Sequence, residues 1–166
     1  MERLPDGARL EKGPGSLERL VLSASDGEAV VYLQGAHVAH FQPKGEKPVL
    51  WMSAESRFEA SKPIRGGVPV CFPWFGPKAG APDAPLHGFA RILPWSIAAV
   101  TRESDGRLRA TLDLTSDAAA RGGFPHELAL SLTVRVGRSL RLDLAVRNTD
   151  AAPRAFEAAL HSYFAV

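Results

Sequence analysis

The sequence predicts an all-β fold, an antiparallel sandwich or barrel built from many short strands. Apolar and polar residues alternate over several segments, which is the period of a strand with one buried face. Each such segment is bounded by turn-forming residues, chiefly Gly, Pro, Asn, Asp and Ser. No segment longer than a turn or two has helical periodicity, and no repeat of the length typical of a propeller blade is present. These observations together favour antiparallel β-structure.

The first part of the chain predicts a series of strands behind a flexible start. Residues 1–16 are polar and contain several Gly and Pro residues, which indicates a flexible lead-in. Asp26-Gly27 is a turn signal between two β-rich segments and therefore predicts a hairpin. Lys44-Gly45-Glu46-Lys47 marks a further turn. The strands predicted in this part are residues 17–25, 29–33, 37–41 and 49–52.

The second half of the chain has the clearest alternation. Every second residue is apolar through 108–114, 128–136 and 140–146, so each segment presents one apolar face. Residues 115–123 predict a single helical turn that ends at Gly122. The strands predicted in this half are residues 95–101, 107–114, 128–136, 140–146 and 155–164.

Residues 62–94 differ from the rest of the chain. They hold 12 of the 28 Gly and Pro residues, too many for a helix or a regular central strand. Six large apolar residues argue against a solvated linker: Val68, Val70, Phe72, Trp74, Phe75 and Phe89. An irregular apolar segment must pack with its backbone polar groups satisfied, and such loops commonly form the wall of a site.

Three polar side chains in this segment are candidate ligand-binding groups. Arg65 precedes Gly66-Gly67, His87 precedes Gly88, and Arg91 follows shortly after. Glycine beside a polar side chain permits a sharp turn and a close approach by a ligand, and arginine is suited to phosphate or carboxylate. The alternative is that both arginines form structural salt bridges and that His87 caps a turn.

The predicted last strand offers another candidate. Strand parity puts Phe156, Leu160 and Phe164 on one, mostly apolar, core face, whereas Glu157 and His161 lie on the opposite face together with small residues. His161 would then stand on a rigid strand with space above it for a ligand. The alternative is that this second face is simply exposed to solvent.

Composition limits the classes of function. The chain has 166 residues and a formal net charge of +2, which fits one domain and lacks the basic runs of a nucleic-acid-binding protein. No segment resembles a signal peptide or a membrane span, so we expect a cytoplasmic protein with no membrane partner. His37 and His40 fall on opposite faces of a strand and predict no metal pair.

Cys71 is the only cysteine in the sequence. An intrachain disulfide is therefore impossible, which is consistent with a reducing compartment. Because Cys71 lies in a strand-like apolar segment, we expect a small core residue rather than a nucleophile.

Three motifs stand out along the chain: IRGGVPVCFPWFG at 64–76, HGFAR at 87–91 and LHSYF at 160–164, supported by LQGAH at 33–37 and PVLW at 48–51. Together they resemble the hexose-6-phosphate mutarotases (glucose-6-phosphate 1-epimerases) of the aldose 1-epimerase superfamily. The resemblance extends from about residue 20 to the end of the sequence. It implies a galactose mutarotase-like β-supersandwich and interconversion of the α and β anomers of a phosphorylated aldohexose. It implies no metal or organic cofactor, and we expect the full-length enzyme to be monomeric.

The resemblance also assigns roles to the candidate residues. His161 matches the catalytic histidine of the family, which as a general acid would protonate the ring oxygen while a base removes the proton of the anomeric hydroxyl. Arg65 and Arg91 match its sugar-phosphate-binding arginines, and His87 matches a residue lining the same pocket. A pair of arginines would favour a phosphorylated sugar over a plain one.

The sequence departs from the family in one respect. The family's base is a glutamate well downstream of the motif at 160–164, and none of Asp83, Asp150 and Glu157 lies at its position. We therefore expect residues 17–166 to be an incomplete mutarotase-like domain whose C-terminal part, including the base, is missing. The alternatives are an epimerase of unphosphorylated aldoses and a non-catalytic domain that binds sugar phosphates.

Overall fold

The computed structural model describes residues 3–115 and 128–166 of the chain. Within them the only helices are 3₁₀ turns of three residues at Pro14–Ser16 and Ala90–Ile92. No helix in the described residues is long and apolar enough to cross a membrane. The helical turn predicted for 115–123 falls almost wholly outside the described residues. The strands are β1 (Ala8–Lys12), β2 (Glu18–Ser23), β3 (Gly27–Tyr32), β4 (His37–Pro43), β5 (Val70–Cys71), β6 (Ser96–Arg102), β7 (Leu108–Leu114), β8 (Leu128–Val136), β9 (Leu140–Asn148) and β10 (Ala159–Leu160).

Two four-stranded antiparallel sheets account for most of these strands. The first has the order β1-β2-β3-β4 and the second the order β6-β7-β8-β9, so neighbours in space are also neighbours along the chain. The hairpin predicted at Asp26-Gly27 is present and pairs Ser23 with Glu28. The prediction of an all-β antiparallel fold is confirmed.

One hydrophobic core contains residues of both sheets. β7 and β8 bury every second residue, as the alternation predicts. Leu112 and Leu132 are among the buried residues of the second sheet, and Leu20, Leu22 and Val31 join the same core from the first. Because each buried side chain of this size contributes roughly 1.5–3 kcal/mol, the contact between the two apolar faces is the main source of stability.

A small third sheet carries the end of the chain. In it β10 pairs with β5 in antiparallel orientation. The pairing continues beyond β10, because the N–H groups of His161 and Tyr163 donate to the carbonyls of Pro69 and Gly67 at 3.1 and 2.9 Å. Further along this segment, the N–H of Trp51 donates to the carbonyl of Tyr163 at 3.0 Å. The last segment is therefore hydrogen-bonded to two other parts of the chain.

The predicted strands at 49–52 and 155–164 are shorter in the structure. The first contributes only isolated bridges, one of them between Leu50 and Phe164, and β10 has two residues. The partner strand β5 is flanked by Pro69 and Pro73, which have no N–H to donate to a ladder. Regular pairing is therefore confined to the residues between the two prolines.

The predicted core face of the last segment is only partly buried among the described residues. Leu160 is half-buried and packs against the core, whereas Phe156 is 48% exposed and Phe164 is 62% exposed. The ring of Phe156 lies 5.2 Å from that of Phe72, measured between centroids, which covers one side of it only. Parity predicts which residues share a face, but it does not determine whether another element covers that face.

Residues 8–12, predicted as part of a flexible lead-in, form strand β1. β1 pairs with β2 over five residues, from Ala8 opposite Leu22 to Lys12 opposite Glu18. The Glu11 carboxylate accepts from the Arg19 guanidinium across the two strands at 2.7 Å. The charged, short sequence of β1 has no strand signal of its own, and its pairing with β2 creates the strand.

Candidate active site

The Gly66-Gly67 turn organises one side of the site. Both glycines have positive φ, +97° and +58° respectively. A Cβ on Gly66 would lie 2.5 Å from the carbonyl oxygen of Trp51, and one on Gly67 would lie 2.8 Å from Nε2 of His37. Only glycine fits a backbone with this conformation pressed against its neighbours. The turn thus places Arg65 directly before the extended segment that leads into β5.

A cavity of about 340 Å³ opens beside this turn, and we call it the arginine cavity. Its described lining residues are Trp51, Ser53, Pro63, Ile64, Arg65, Gly66, Pro69, Leu86, His87, Arg91 and Tyr163. Three of the four predicted site residues, Arg65, His87 and Arg91, are therefore in one wall. No carboxylate belongs to this described lining.

The two arginines of the cavity have no acidic partner among the described residues. Neither Arg65 nor Arg91 forms an ion pair there, so the alternative of structural salt bridges is wrong for that part of the chain. One guanidinium nitrogen of Arg91, Nη2, donates to the carbonyl of Leu86 at 2.6 Å, whereas its buried Nε has no hydrogen-bond partner in residues 3–115 and 128–166. Burial lowers the pKa of Arg91, and the charge of Arg65 acts in the same direction. Two like charges facing one cavity favour an anion between them.

His87 is held in a defined protonation state. Its backbone N–H donates to the carbonyl of Gly76 at 2.8 Å, and its Nδ1 accepts from the N–H of Gly76 at 3.0 Å. Because Nδ1 accepts this bond, the proton of the neutral ring must be on Nε2. Burial, together with the charges of Arg91 and His161, lowers the pKa of His87. At neutral pH the side chain is therefore a neutral donor at Nε2, and it also caps the turn at Gly76.

His161 lies beside the cavity and is not one of its described lining residues. Its ring centroid is 4.7 Å from that of Tyr163 and 6.2 Å from that of His87, both of which line the cavity. On another side it stacks on Phe75, with centroids 5.7 Å apart and planes 13° apart. Its Nδ1 is buried and has no hydrogen-bond partner among the described residues. An unpaired buried nitrogen is costly, so it is a candidate partner for a ligand group.

Cys71 has the surroundings of a core residue, as predicted. It is 1% exposed and lies in β5, opposite Ala159. Burial raises the pKa of the Cys71 thiol, which disfavours the reactive thiolate. Among the described residues, no three His, Cys, Asp or Glu side chains come close enough to hold a metal ion.

Three aromatic residues near the site were not predicted as site residues. Trp51 and Tyr163 line the cavity with their ring centroids 6.0 Å apart, and Phe75 contacts both histidine rings. Tyr163 shares strand parity with His161, which is a signal that could have identified it. Trp51 has no such signal, because only pairing between distant segments brings it to the cavity.

The antiparallel sheets and the cavity between arginine and histidine side chains define a β-sandwich of the galactose mutarotase type. The crystal structure of a protein described as a putative mutarotase from Salmonella typhimurium matches with a TM-score of 0.88 and 36% identity, over 99% of this chain and 53% of the other. A galactose mutarotase-like protein from Clostridium acetobutylicum matches with a TM-score of 0.67 at 16% identity, which shows the fold alone. The chain belongs to the aldose 1-epimerase family, whose model matches residues 18–166.

Two curated relatives carry a more specific name. A protein of Salmonella typhimurium named "Putative glucose-6-phosphate 1-epimerase" is 39% identical over 150 residues, which is 90% of this chain and 49% of the relative. A protein of Escherichia coli with the same name is 40% identical over 152 residues, again 90% of this chain and 49% of the relative. The chain spans about half the length of these curated relatives.

Proposed function

We propose that the protein interconverts the α and β anomers of a hexose 6-phosphate by acid–base opening of the sugar ring, without a metal or organic cofactor. The observation that carries this proposal is the arrangement of Arg65, Arg91 and His87 around one cavity, with the ring of His161 against two of its lining residues. Membership in the aldose 1-epimerase family and the names of the two curated relatives support it.

In this proposal the arginines bind the phosphate group. A phosphate dianion can accept hydrogen bonds from two guanidinium groups, and it would neutralise the like charges that Arg65 and Arg91 bring to the cavity. The buried Nε of Arg91, which has no described partner, is one donor for it. An unphosphorylated sugar offers no such charge, so the arginine pair favours hexose phosphates as substrates.

His161 and a base carry out the proton transfers at the anomeric end of the sugar. A base removes the proton of the anomeric hydroxyl, the bond from C1 to the ring oxygen breaks, and His161 donates a proton to that oxygen. Rotation about the C1–C2 bond of the open-chain sugar turns the other face of the aldehyde toward the ring oxygen. Reversal of the two proton transfers then closes the ring as the other anomer. His87, a neutral donor at Nε2, hydrogen-bonds to the sugar without supplying charge.

The base is the second part of the proposal. The lining of the arginine cavity contains no carboxylate in the described residues, and the curated relatives are about twice as long as this chain. We propose that the base is a glutamate supplied by residues outside this sequence. Reading the codons after Val166 in the gene tests this directly. A stop codon there, together with full anomerase activity of the 166-residue chain, would show that the base lies within it.

Replacing Arg65 with glutamine should weaken the binding of glucose 6-phosphate by roughly 10- to 100-fold, because each hydrogen bond between charged groups contributes about 1.5–3 kcal/mol. Calorimetry with glucose 6-phosphate measures the change, and binding of glucose should stay the same. Arg109→Gln, an exposed arginine on β7 in the other part of the fold, is the matched control. Equal loss of affinity for glucose and its phosphate would contradict the role of Arg65.

A second candidate is a domain that binds sugar phosphates without turnover. The absence of a carboxylate from the described cavity lining favours it for the chain as given. Tight binding of glucose 6-phosphate by the chain, with anomer exchange at the uncatalysed rate even when all downstream codons are expressed, would support this candidate over the enzyme. Exchange of glucose and galactose at the same rate as their phosphates would instead indicate an epimerase of unphosphorylated aldoses.

A further inference from the structure

Glu157 connects the last segment of the chain to the loop that contacts both histidines. Its backbone N–H donates to the carbonyl of Pro73 at 2.9 Å, and its Oε2 accepts from the N–H of Phe75 at 2.7 Å. The residue thus binds the loop 73–76 with both its main chain and its side chain. The carboxylate is exposed and is not in the lining of the arginine cavity.

The loop 73–76 is in turn hydrogen-bonded to His87. The residue after Phe75 is Gly76, whose N–H donates to Nδ1 of His87 and whose carbonyl accepts from the His87 backbone. The Phe75 ring also meets the His87 ring edge-on, with centroids 4.6 Å apart. Moving the Phe75 backbone would therefore disturb the one hydrogen bond that selects the Nε2–H form of His87.

The same loop supports His161. Phe75 stacks on the His161 ring with centroids 5.7 Å apart, and this stacking depends on where the Phe75 backbone is held. Phe75 is 46% exposed, so packing alone does not immobilise it. A charge-assisted hydrogen bond from its N–H to a carboxylate is the restraint that the structure provides.

We propose that Glu157 is a positioning residue: through the loop 73–76 it keeps His87 as a neutral Nε2–H donor and keeps the ring of His161 against Phe75. The effect of this positioning on ligand binding rests on the proposed function, whereas its effect on the ring form of His87 does not. The role of Glu157 is carried by the hydrogen bond from the N–H of Phe75, because this bond, and no contact with the arginine cavity, connects its side chain to the loop.

Two variants separate the hydrogen bond from the charge. Glu157→Ala removes both, whereas Glu157→Gln removes the charge and keeps an oxygen that can accept from the N–H of Phe75. We expect two-dimensional NMR of the histidine ring nitrogens to show His87 as the Nε2–H form in the wild type and in Glu157→Gln. In Glu157→Ala we expect a mixture of both forms and a higher pKa of His87 than in the wild type, because a donor to Nδ1 favours the neutral ring.

Ligand binding gives a second readout. Glu157→Ala should weaken binding of glucose 6-phosphate by about threefold to tenfold, less than the loss of a direct charged contact because the effect reaches the ligand only through the loop, and Glu157→Gln should restore most of the affinity. Glu18→Ala, an exposed glutamate on β2, is the matched control and should change neither readout. Thermal unfolding of each variant identifies any that has lost its fold. If Glu157→Ala is unfolded, the comparison of Glu157→Gln with the wild type decides whether the hydrogen bond or the charge is needed.

The outcomes distinguish this proposal from the proposed function. An unchanged His87 ring form in Glu157→Ala overturns the positioning role, whatever the protein binds. Equal effects of Glu157→Ala and Glu157→Gln also overturn it, because the charge would then be the active feature. No binding of hexose phosphates by the wild type, combined with the expected change in the His87 ring, overturns the proposed function and leaves the positioning role in place.

Discussion

Replacing His161 with asparagine should lower the rate constant for anomer interconversion of glucose 6-phosphate by about 10²- to 10⁴-fold, the usual contribution of a positioned general acid. Asparagine keeps a polar group of similar size but cannot transfer a proton near neutral pH. The affinity for glucose 6-phosphate should change little, because the proposed charged contacts come from Arg65 and Arg91. Exchange NMR on the anomeric protons measures the rate of interconversion of the two anomers at equilibrium. The protein for this experiment is expressed from the complete open reading frame.

His40→Asn is the matched control for this experiment. His40 is a half-buried histidine on β4 whose Nε2 lies 3.4 Å from a carboxylate oxygen of Glu28, and it is not in the lining of the arginine cavity. Its replacement should leave the rate unchanged. A rate in His161→Asn within about threefold of the wild type would show that another group supplies the proton.

The protein should lose stability as the pH falls from about 6.5 toward 3 because of His37. The His37 side chain is 1% exposed, and neither ring nitrogen has a hydrogen-bond partner in the described residues. Burial lowers the pKa of His37 to about 3, the charge of Arg91 acts in the same direction, and the backbone of Gly66 opposes both. The unfolded chain, with an ordinary histidine pKa of about 6.5, therefore binds a proton that the folded protein does not bind.

The sign and size of the effect follow from this difference. The stabilisation is fully present above pH 6.5 and is lost as the pH falls through the window down to about 3, where it totals on the order of 4 kcal/mol. Urea unfolding at pH 7 and pH 4.5 should show a loss of about 2–3 kcal/mol from His37 alone. The lowered pKa values of Glu11, Asp105, Asp143 and Asp150 add to acid destabilisation, chiefly at the lower end of this range.

Comparison with His37→Gln isolates the contribution of this one histidine. Glutamine does not titrate, so the difference in unfolding free energy between pH 7 and pH 4.5 should shrink by about 2–3 kcal/mol, even if the variant is less stable at both. His40→Asn serves again as the control, because His40 is partly exposed. The same pH dependence in His37→Gln and the wild type would mean that His37 is protonated in the folded protein.

The alternation of apolar and polar residues predicted those strands in which it is present. β8 has the bounds that the alternation of residues 128–136 predicts, and β7 and β9 agree within two residues at either end. Alternation succeeds here because each strand has one buried and one exposed face, and side-chain direction in a strand depends only on position along it. β1 was missed because its five residues form a strand only through pairing with β2.

The candidate site was predicted in part. Motif resemblance identified Arg65, His87, Arg91 and His161, and the structure brings the first three into one cavity with the fourth beside it. The contact between Trp51 and Tyr163 and the bond from Phe75 to Glu157 were not predicted. Each joins residues 82 or more positions apart in the chain, so no local pattern contains it.

The sequence by itself determined that this is an antiparallel β-protein with an irregular, arginine-bearing wall, because alternation and the placement of Gly and Pro are local properties. Only the tertiary structure decided which groups meet: the pairing of the last segment with residues 49–51 and 67–73 puts the His161 ring against Phe75 and Tyr163. It also decided which buried nitrogens lack a hydrogen-bond partner among the described residues, namely both ring nitrogens of His37, Nε of Arg91 and Nδ1 of His161. Burial and hydrogen-bond satisfaction depend on every neighbour in space, and those neighbours come from distant parts of the chain.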